Sequence, residues 1–453
     1  ELCAAPARRQ QLRSHALSAP LLRAALGVHA NVDPALALAV ATIVFLLSHE
    51  TPPPSDLRLL TSEAAAASLA AFLSAAPVSM EQARPEERAL FERLERLLLS
   101  TRRLPGEVLE TPILVMQTLE GACRVPSSAL SGAPPMGGAP PRPFKDELRL
   151  QGGLEAVAAL AAKAATGLVA TVSDKRGAAR LMARMLRALR VVENATFDSP
   201  SNQRFLISLV IRTEEPSSGV GAATPAPIVP QGALTSPVDE GTPKAVEIND
   251  AILGSIRWLD ETADETVEEA SVQVAPHDSE VEGDRSFIAS LLASLAPLSE
   301  LLESCSETID PGPGAGGAGA NGDGRTGKGL TWECLRGVIG VLTNLTNNNN
   351  EGCRAVVECG GLESISTLLA SATGGSGAGT AFATDEGRET VNAVLCLLVN
   401  LVEGEDAHRA QLARVEVVRA SPRVRLLPLL CGLFRREKAS AGNKAGTAAA
   451  AAA

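Results

Sequence analysis

The sequence predicts an all-α fold of stacked helical repeats, a solenoid interrupted by disordered inserts. Three observations carry that prediction. The first is composition: the 453 residues are 45% hydrophobic but only 2% aromatic, with nine Phe, two Trp and no Tyr. Ala, Leu and Val supply the apolar content; Ala and Leu favour helix, whereas sheets draw on β-branched and aromatic residues. The second is period. Leu181, Met182, Met185, Leu186 and Leu189 recur at spacings of three and four, as do Phe287, Ile288, Leu291, Leu292 and Leu295, and Val338, Val341, Leu342 and Leu345. That spacing marks one face of a helix. The third is internal repetition, in a chain too long for a single core.

Taken in order, helical repeats are expected over residues 1–125. Their longest apolar run, Ala35 to Leu47, has 13 residues, short of the roughly 20 that span a bilayer, so it reads as a buried helix. A Pro/Gly linker follows at 126–143. A helical repeat is expected at 144–213, with Gly152-Gly153 as a helix stop. Residues 214–285 read as an acidic disordered insert, 286–305 as a helix and 306–330 as a Gly-rich linker. C-terminal repeats are expected at 331–435, with Gly360-Gly361 as a second stop and a Gly/Ser/Ala loop at 371–379. Residues 436–453 form a low-complexity tail. Such linker compositions bury too little apolar area to offset chain entropy. The start at Glu1 without Met and the closing run Ala448 to Ala453 read as a fragment of a longer protein.

Three segments align with one another. Leu189-Arg-Val-Val-Glu-Asn194 continues to Arg204, Ile339-Gly-Val-Leu-Thr-Asn344 to Arg354, and Leu395-Cys-Leu-Leu-Val-Asn400 to Arg409. A fainter fourth runs from Ile43 through Ser48 to Arg58. Each is an apolar helix closing on a polar residue, a polar loop, an Arg and a second apolar stretch. Gly-Gly-Leu-Glu elements stand at 152–155 and 360–363. The whole pattern resembles an armadillo/HEAT-like repeat, whose helices cover their apolar face only by stacking on a neighbour.

Four stretches are similar, beyond that, to the wings-apart-like (WAPL) family of cohesin release factors. They are Val192-Glu-Asn-Ala-Thr-Phe-Asp-Ser-Pro-Ser-Asn-Gln203, Val341-Leu-Thr-Asn-Leu-Thr-Asn-Asn-Asn349, Gly352-Cys353 with Cys359-Gly-Gly-Leu-Glu363, and Phe144-Lys-Asp-Glu-Leu-Arg-Leu-Gln-Gly-Gly-Leu-Glu-Ala-Val157. The opening, from Leu2-Cys3 to Arg13, resembles the start of that family's helical domain. The resemblance extends from residue 1 to about 433 and is strongest at 144–206 and 332–402. It implies a nuclear, chromatin-associated scaffold that engages the kleisin, SA and SMC subunits of cohesin and the Pds regulator. It also implies that the scaffold favours opening of the SMC–kleisin gate and hydrolyses nothing itself. The alternative is a general armadillo adaptor for extended peptides, like import receptors or catenins.

Net charge is −11, which argues against duplex DNA as the main ligand. That charge is local. Asp239 to Asp284 carries 14 acidic and 2 basic residues, a local −12, so the remainder sums to +1. Scarce aromatics argue against single-stranded nucleic acid. Eight Cys stand singly, with no C-x-x-C pair, so each is expected to be a small buried hydrophobe in a reducing compartment, with no metal site. Gly322 to Gly329 almost spells a phosphate-binding loop, but Gly329 stands where a Ser or Thr must hold Mg²⁺, and a Gly-rich linker precedes it. No nucleophile elbow or His-Glu-x-x-His pair occurs, so neither enzyme chemistry nor a cofactor is expected.

The candidate partner-binding residues are Asn194, Asn344 and Asn400, with Arg180, Arg184 and Arg187. An Asn repeated at this helix position can hydrogen-bond an extended peptide backbone, or can bond its own loop backbone. The arginines share a helix face, either a solvated face or a dock for an acidic partner. Arg423, Arg425, Arg435, Arg436 and Lys438 raise the same alternative. Asn194-Ala-Thr196 and Asn344-Leu-Thr346 match glycosylation acceptors by pattern, but their place at helix ends in an intracellular protein argues against that use.

Overall fold

A computed structural model describes residues 6–14, 17–28, 33–48, 52–75, 85–98, 104, 106–126, 142–171, 173–212, 284–304, 323–373, 384–417, 424–426 and 430. The fold is all-α and solenoid-like. Helices α1 Pro6–Ser14, α2 Ser18–Leu26 and α3 Pro34–Ser48 form a first repeat. Helices α4 Pro54–Leu60, α5 Glu63–Leu73, α6 Pro85–Leu98 and α7 Thr111–Cys123 belong to the second, and α8 Phe144–Leu150, α9 Gly153–Thr171 and α10 Lys175–Thr196 to the third. The fourth has α11 Pro200–Ile207, α12 Phe287–Ala293, α13 Leu295–Ser304 and α14 Asp323–Thr346. The fifth has α15 Asn350–Glu358, α16 Gly361–Thr373 and α17 Asp385–Glu403, and α18 Asp406–Arg414 follows.

The repeats stack in two layers. The third helices α3, α7, α10, α14 and α17 pack successively side by side, while α5, α9, α12–α13 and α16 back them. The short first helices turn the corner between repeats. Aligned apolar positions meet inside: Val192, Leu342 and Leu398 are buried, as are Ala195, Leu345 and Leu401. The run from Ala35 to Leu47 is indeed a mostly buried helix, α3. Two helical stretches, Gly153–Thr171 and Phe287–Ser304, are long and apolar enough to cross a membrane by length and composition, but half and two thirds of them are buried inside the stack.

Both glycine stops fall as expected. Gly152 and Gly360 have φ of 72° and 77°, in the left-handed region, and connect the first to the second helix of repeats three and five. Asp198 and Asn348, each four residues after a repeat Asn, take the same conformation at φ 52°. Gly352 serves a different need. Its Cα lies so close to the end of α14 that a Cβ would stand 1.9 Å from Leu345 O.

Several boundaries differ from expectation. The helix expected at 286–305 is two, α12 and α13, separated at Ser294, whose side chain turns back to Leu291 O at 2.6 Å. Helix α14 begins at Asp323, inside the segment expected as linker, because stacking of Leu330, Trp332 and Leu335 in the core carries the helix back beyond its apolar part. Residues 284 and 285, assigned to the acidic insert, belong to a strand. Strand β1 Val210–Arg212 pairs antiparallel with β2 Asp284–Ser286, in the register Val210↔Ser286, Ile211↔Arg285 and Arg212↔Asp284. The residues on either side of 213–283 are therefore held together at one clamp. Ser286 then caps α12 by accepting from Ala289 N at 3.0 Å. A second pair, β3 Glu416–Val417 with β4 Val424–Arg425, follows α18. The inserts at 127–141 and 214–283, residues 305–322 and the tail 431–453 lie outside the described residues.

An alanine normally stabilises a helix relative to glycine, by about 0.5–1 kcal/mol. For Gly352→Ala the close approach to Leu345 O reverses the sign, and urea denaturation is expected to show a loss of about 1–3 kcal/mol.

Candidate functional site

The three asparagines sit near the C-terminal ends of successive third helices, but they do not act alike. Asn344 Nδ2 donates to Glu193 O at 3.0 Å and to Thr196 Oγ1 at 3.3 Å, both on α10. Asn400 Nδ2 repeats the geometry one repeat later, reaching Thr346 Oγ1 at 3.3 Å and Thr343 O at 3.5 Å on α14. Thr196 and Thr346 are buried and donate their own protons to Val192 O and Leu342 O. The triplet Asn344-Leu-Thr346 is thus a two-sided coupling, its Asn reaching back to the preceding repeat and its Thr receiving the following one. After Asn400 the matching position is Val402. Asn194 differs: its Nδ2 donates to Arg190 O of its own helix at 2.7 Å, and its Oδ1 faces Arg124 Nε at 3.5 Å. Neither alternative raised by the sequence, a free peptide-binding amide or a bond to its own loop, describes the Nδ2 donors of Asn344 and Asn400.

A second set of contacts satisfies carbonyls at the ends of the third helices. Gln203 Nε2 donates to Thr196 O at 3.2 Å, Cys353 Sγ to Thr346 O at 3.3 Å and Arg409 Nη1 to Val402 O at 2.9 Å. One position earlier, Asn202 Nδ2 donates to Ala195 O at 2.9 Å. His408 Nδ1 stands 3.0 Å from Leu401 O, with Nε2 3.3 Å from Glu405 Oε2. Side chains of four chemistries, carboxamide, thiol, guanidinium and imidazole, meet the same helix-end requirement.

The arginine stripe of α10 requires a correction. Arg180 is exposed, but Arg187 is 7% exposed and lies against Glu107, itself 9% exposed. Arg187 Nε bonds Glu107 Oε1 at 2.8 Å and Nη2 bonds Oε2 at 3.3 Å. Glu107 Oε2 also accepts from Leu104 N at 2.8 Å. With its amide oxygen turned toward Arg187, Gln117 accepts from Nη2 at 2.8 Å. Arg184 is exposed and pairs with Glu110. Arg187 therefore fits neither a solvated face nor a dock: the segment ahead of α7 covers it, and helix period alone does not reveal a carboxylate 80 residues away. The pairing continues along the stack. Arg190 meets Glu333 at 2.5 Å, Arg336 meets Glu389 at 2.5 Å and Arg354 meets Glu405 at 3.1 Å. Arg425 lies in β4; Arg423, Arg435, Arg436 and Lys438 lie outside the described residues.

Glu193 lies between α10 and α14, half-buried. Burial holds its carboxyl above the ordinary glutamate range, against the opposing pull of Arg190 and Arg124 and with some help from Glu120. Burial likewise pushes the Cys123 thiol up to about 12 and raises those of Cys334 and Cys353, so none is an activated thiolate. The expectation of buried cysteines holds at Cys334 and Cys353, whereas Cys123 and Cys359 are half-buried and Cys396 is exposed. Cys3, Cys305 and Cys431 lie outside the described residues. Among the described residues no group of three or more His, Cys, Asp or Glu is arranged to hold a metal ion.

The family described as "Wings apart-like protein regulation of heterochromatin" matches residues 1–408. The chain belongs to the wings apart-like family. Two Arabidopsis thaliana relatives, Wings apart-like protein 2 and Wings apart-like protein 1, are each 35% identical to it, over 135 and 140 residues. Those stretches are 25% and 26% of this chain and only 16% and 15% of the relatives' own lengths. A crystal structure of an engineered protein aligns over 90% of each chain at 15% identity, with a TM-score of 0.15. For this wings apart-like chain, four of the residues the sequence singled out, Asn344, Asn400, Arg184 and Arg187, bond a neighbouring repeat. Thr196, Thr346, Glu107, Gln117 and Arg124 are the partners it did not single out. The one available signal was the Asn-x-Thr triplet repeated at 194–196 and 344–346.

Arg187→Ala leaves Glu107 buried without its cation, and chemical denaturation is expected to show a loss of about 3–5 kcal/mol; replacing both partners together with apolar residues recovers most of it. Because the native Glu193 carboxyl binds its proton more tightly than the unfolded one, its contribution is most favourable at low pH and is lost as pH rises through the elevated native value. Glu193→Gln is therefore expected to be more stable than the parent at pH 7. That advantage should shrink on acidification to pH 4, as read by thermal melts at the two values.

Proposed function

We propose that the chain is a non-enzymatic helical-repeat scaffold of cohesin release. In this reading it works in the nucleus, on chromatin, where it engages the kleisin, SA and SMC subunits of cohesin together with the Pds regulator. It contributes binding energy and geometry that favour the open SMC–kleisin gate. Membership of the wings apart-like family over residues 1–408 is the observation that carries the reading. The polar seams support it, because a stack fixed by directional bonds at successive repeats can present a large surface in one arrangement. No cofactor, membrane or sequence-specific nucleic acid enters the mechanism.

The second reading, an armadillo adaptor for extended peptides, is favoured by Asn194, Asn344 and Asn400 on three successive third helices. Among the described residues, nothing engages the Oδ1 atoms of Asn344 and Asn400, which leaves one acceptor on each for a peptide N–H. Arg180, exposed beside the paired Arg184, is the cation of the α10 stripe that remains a partner-binding candidate in either reading.

Mass spectrometry of proteins retained by the tagged chain from nuclear extract separates the readings. Cohesin subunits are expected among them, with cohesin persisting on chromatin after depletion of the protein. Recovery of unrelated extended peptides and of no cohesin component would replace the first reading by the second.

A further inference from the structure

The seam is not uniform. At the α10–α14 and α14–α17 interfaces an Asn amide crosses to the preceding helix. At the α7–α10 interface the Nδ2 donor does not cross, because Asn194 turns it back to Arg190 O and meets the end of α7 through its Oδ1, 3.5 Å from Arg124 Nε. Helix α7 has 13 residues against 22 in α10. A cavity of about 370 Å³ lies here, among α3, α4, α7 and α10. Such a volume is at the small end of ligand pockets.

Its lining has two characters. Phe45, Leu57 and Leu60 supply apolar surface, while Arg124, Arg187 and Arg190 present guanidinium groups. Among the described residues Glu120 is the one carboxylate in the lining. Glu107 and Glu333, which pair with Arg187 and Arg190, are not part of it. Among the described residues the cavity wall therefore carries three guanidinium groups, two of them also held by carboxylates outside the lining, beside one carboxylate and a set of apolar side chains. An occupant that matches both halves carries a large apolar side chain adjacent to carboxylates. A nucleic acid or free phosphate would satisfy the cations and leave Phe45, Leu57 and Leu60 unused.

We propose that this cavity binds a short acidic segment of a partner protein, seating one large apolar side chain against Phe45, Leu57 and Leu60 and its neighbouring carboxylates against Arg124 and Arg190. Arg124 is the accessible anchor, its side chain 61% exposed although it also meets Glu120 at 2.7 Å. Arg187 positions the wall, being held already by Glu107. Charge-assisted bonds to guanidinium fix the direction of the segment, and the apolar side chain supplies most of the affinity. The inference requires that the chain bind proteins, not that the partner be cohesin.

Gly121 provides the test. It lines the cavity, and a Cβ built on it meets nothing within 4 Å, so a larger side chain enters open space. The full chain is titrated by fluorescence anisotropy with labelled Gly/Ser peptides of about twelve residues, each carrying one Leu, Ile or Phe followed by two Glu. Matched peptides carry two Lys in place of the Glu pair. Saturable binding of an acidic probe and none of its lysine counterpart is expected. Gly121→Leu is expected to weaken that binding at least tenfold at an unchanged or higher melting temperature, and Arg124→Gln to weaken it severalfold and flatten its salt dependence. The proposal is overturned if no acidic probe saturates, if both peptide sets bind alike, or if an oligonucleotide displaces the probe as readily as unlabelled peptide. Should Gly121→Leu melt lower than the parent, Arg124→Gln decides alone, since its exposed side chain can change without disturbing the core: unaltered affinity there sinks the idea.

Discussion

The amide that leaves one repeat and lands on the threonine of the repeat before it sets the register of the stack. Apolar burial holds the third helices together, but it is non-directional and tolerates a shift along the helix axis. The Asn344–Thr196 and Asn400–Thr346 bonds do not tolerate one. Sliding α14 by a turn against α10 would take the Asn344 amide from both of its partners, at about 1–3 kcal/mol if it stays buried. Two such couplings in succession make the fourth and fifth repeats follow the third at a fixed offset. The ion pairs of Arg190 with Glu333 and Arg336 with Glu389 cross the same interfaces and add to that registration, although their exposure keeps each contribution small.

Toward the N-terminus the solution changes. Where α7 starts late, Arg187 and Glu107 take over as a buried bidentate pair, with Gln117 beside them. A buried pair of this kind adds little net stability relative to apolar packing, but it penalises every arrangement that separates its members. The rungs at the C-terminal interfaces and the ion pair at this one are thus two devices for the same end. They leave different surfaces behind: a closed polar seam between α10 and α17, and an open cavity beside α7.

The other constraint is what the stack must carry. A long segment departs after Arg212 and returns at Asp284, and the β1–β2 ladder brings its two ends together. Loop-closure cost grows only with the logarithm of length. Once the ends are clamped, the length between them makes little difference to the helices on either side. Ile211 is buried in the clamp and Phe287 directly follows it in the core, so the ladder is welded to repeat four.

Much of this was written in the sequence. Helical period, the glycine stops at 152 and 360 and the recurring Asn positions specified an all-α repeat protein, because each depends on residues close together along the chain. The family resemblance followed from the same local strings. What the sequence did not specify was which polar groups meet. Arg187 looked like one of several arginines on a helix face until tertiary packing placed Glu107 over it. Asn194-Ala-Thr196 matched a modification acceptor by pattern only, and what its threonine does became visible when the next repeat placed Asn344 on it. Whether an amide bonds its own helix, the preceding repeat or a partner depends on the distance between helices many tens of residues apart. Local pattern determined the helices and their repetition; only stacking decided which side chains hold the repeats together and which face a cavity.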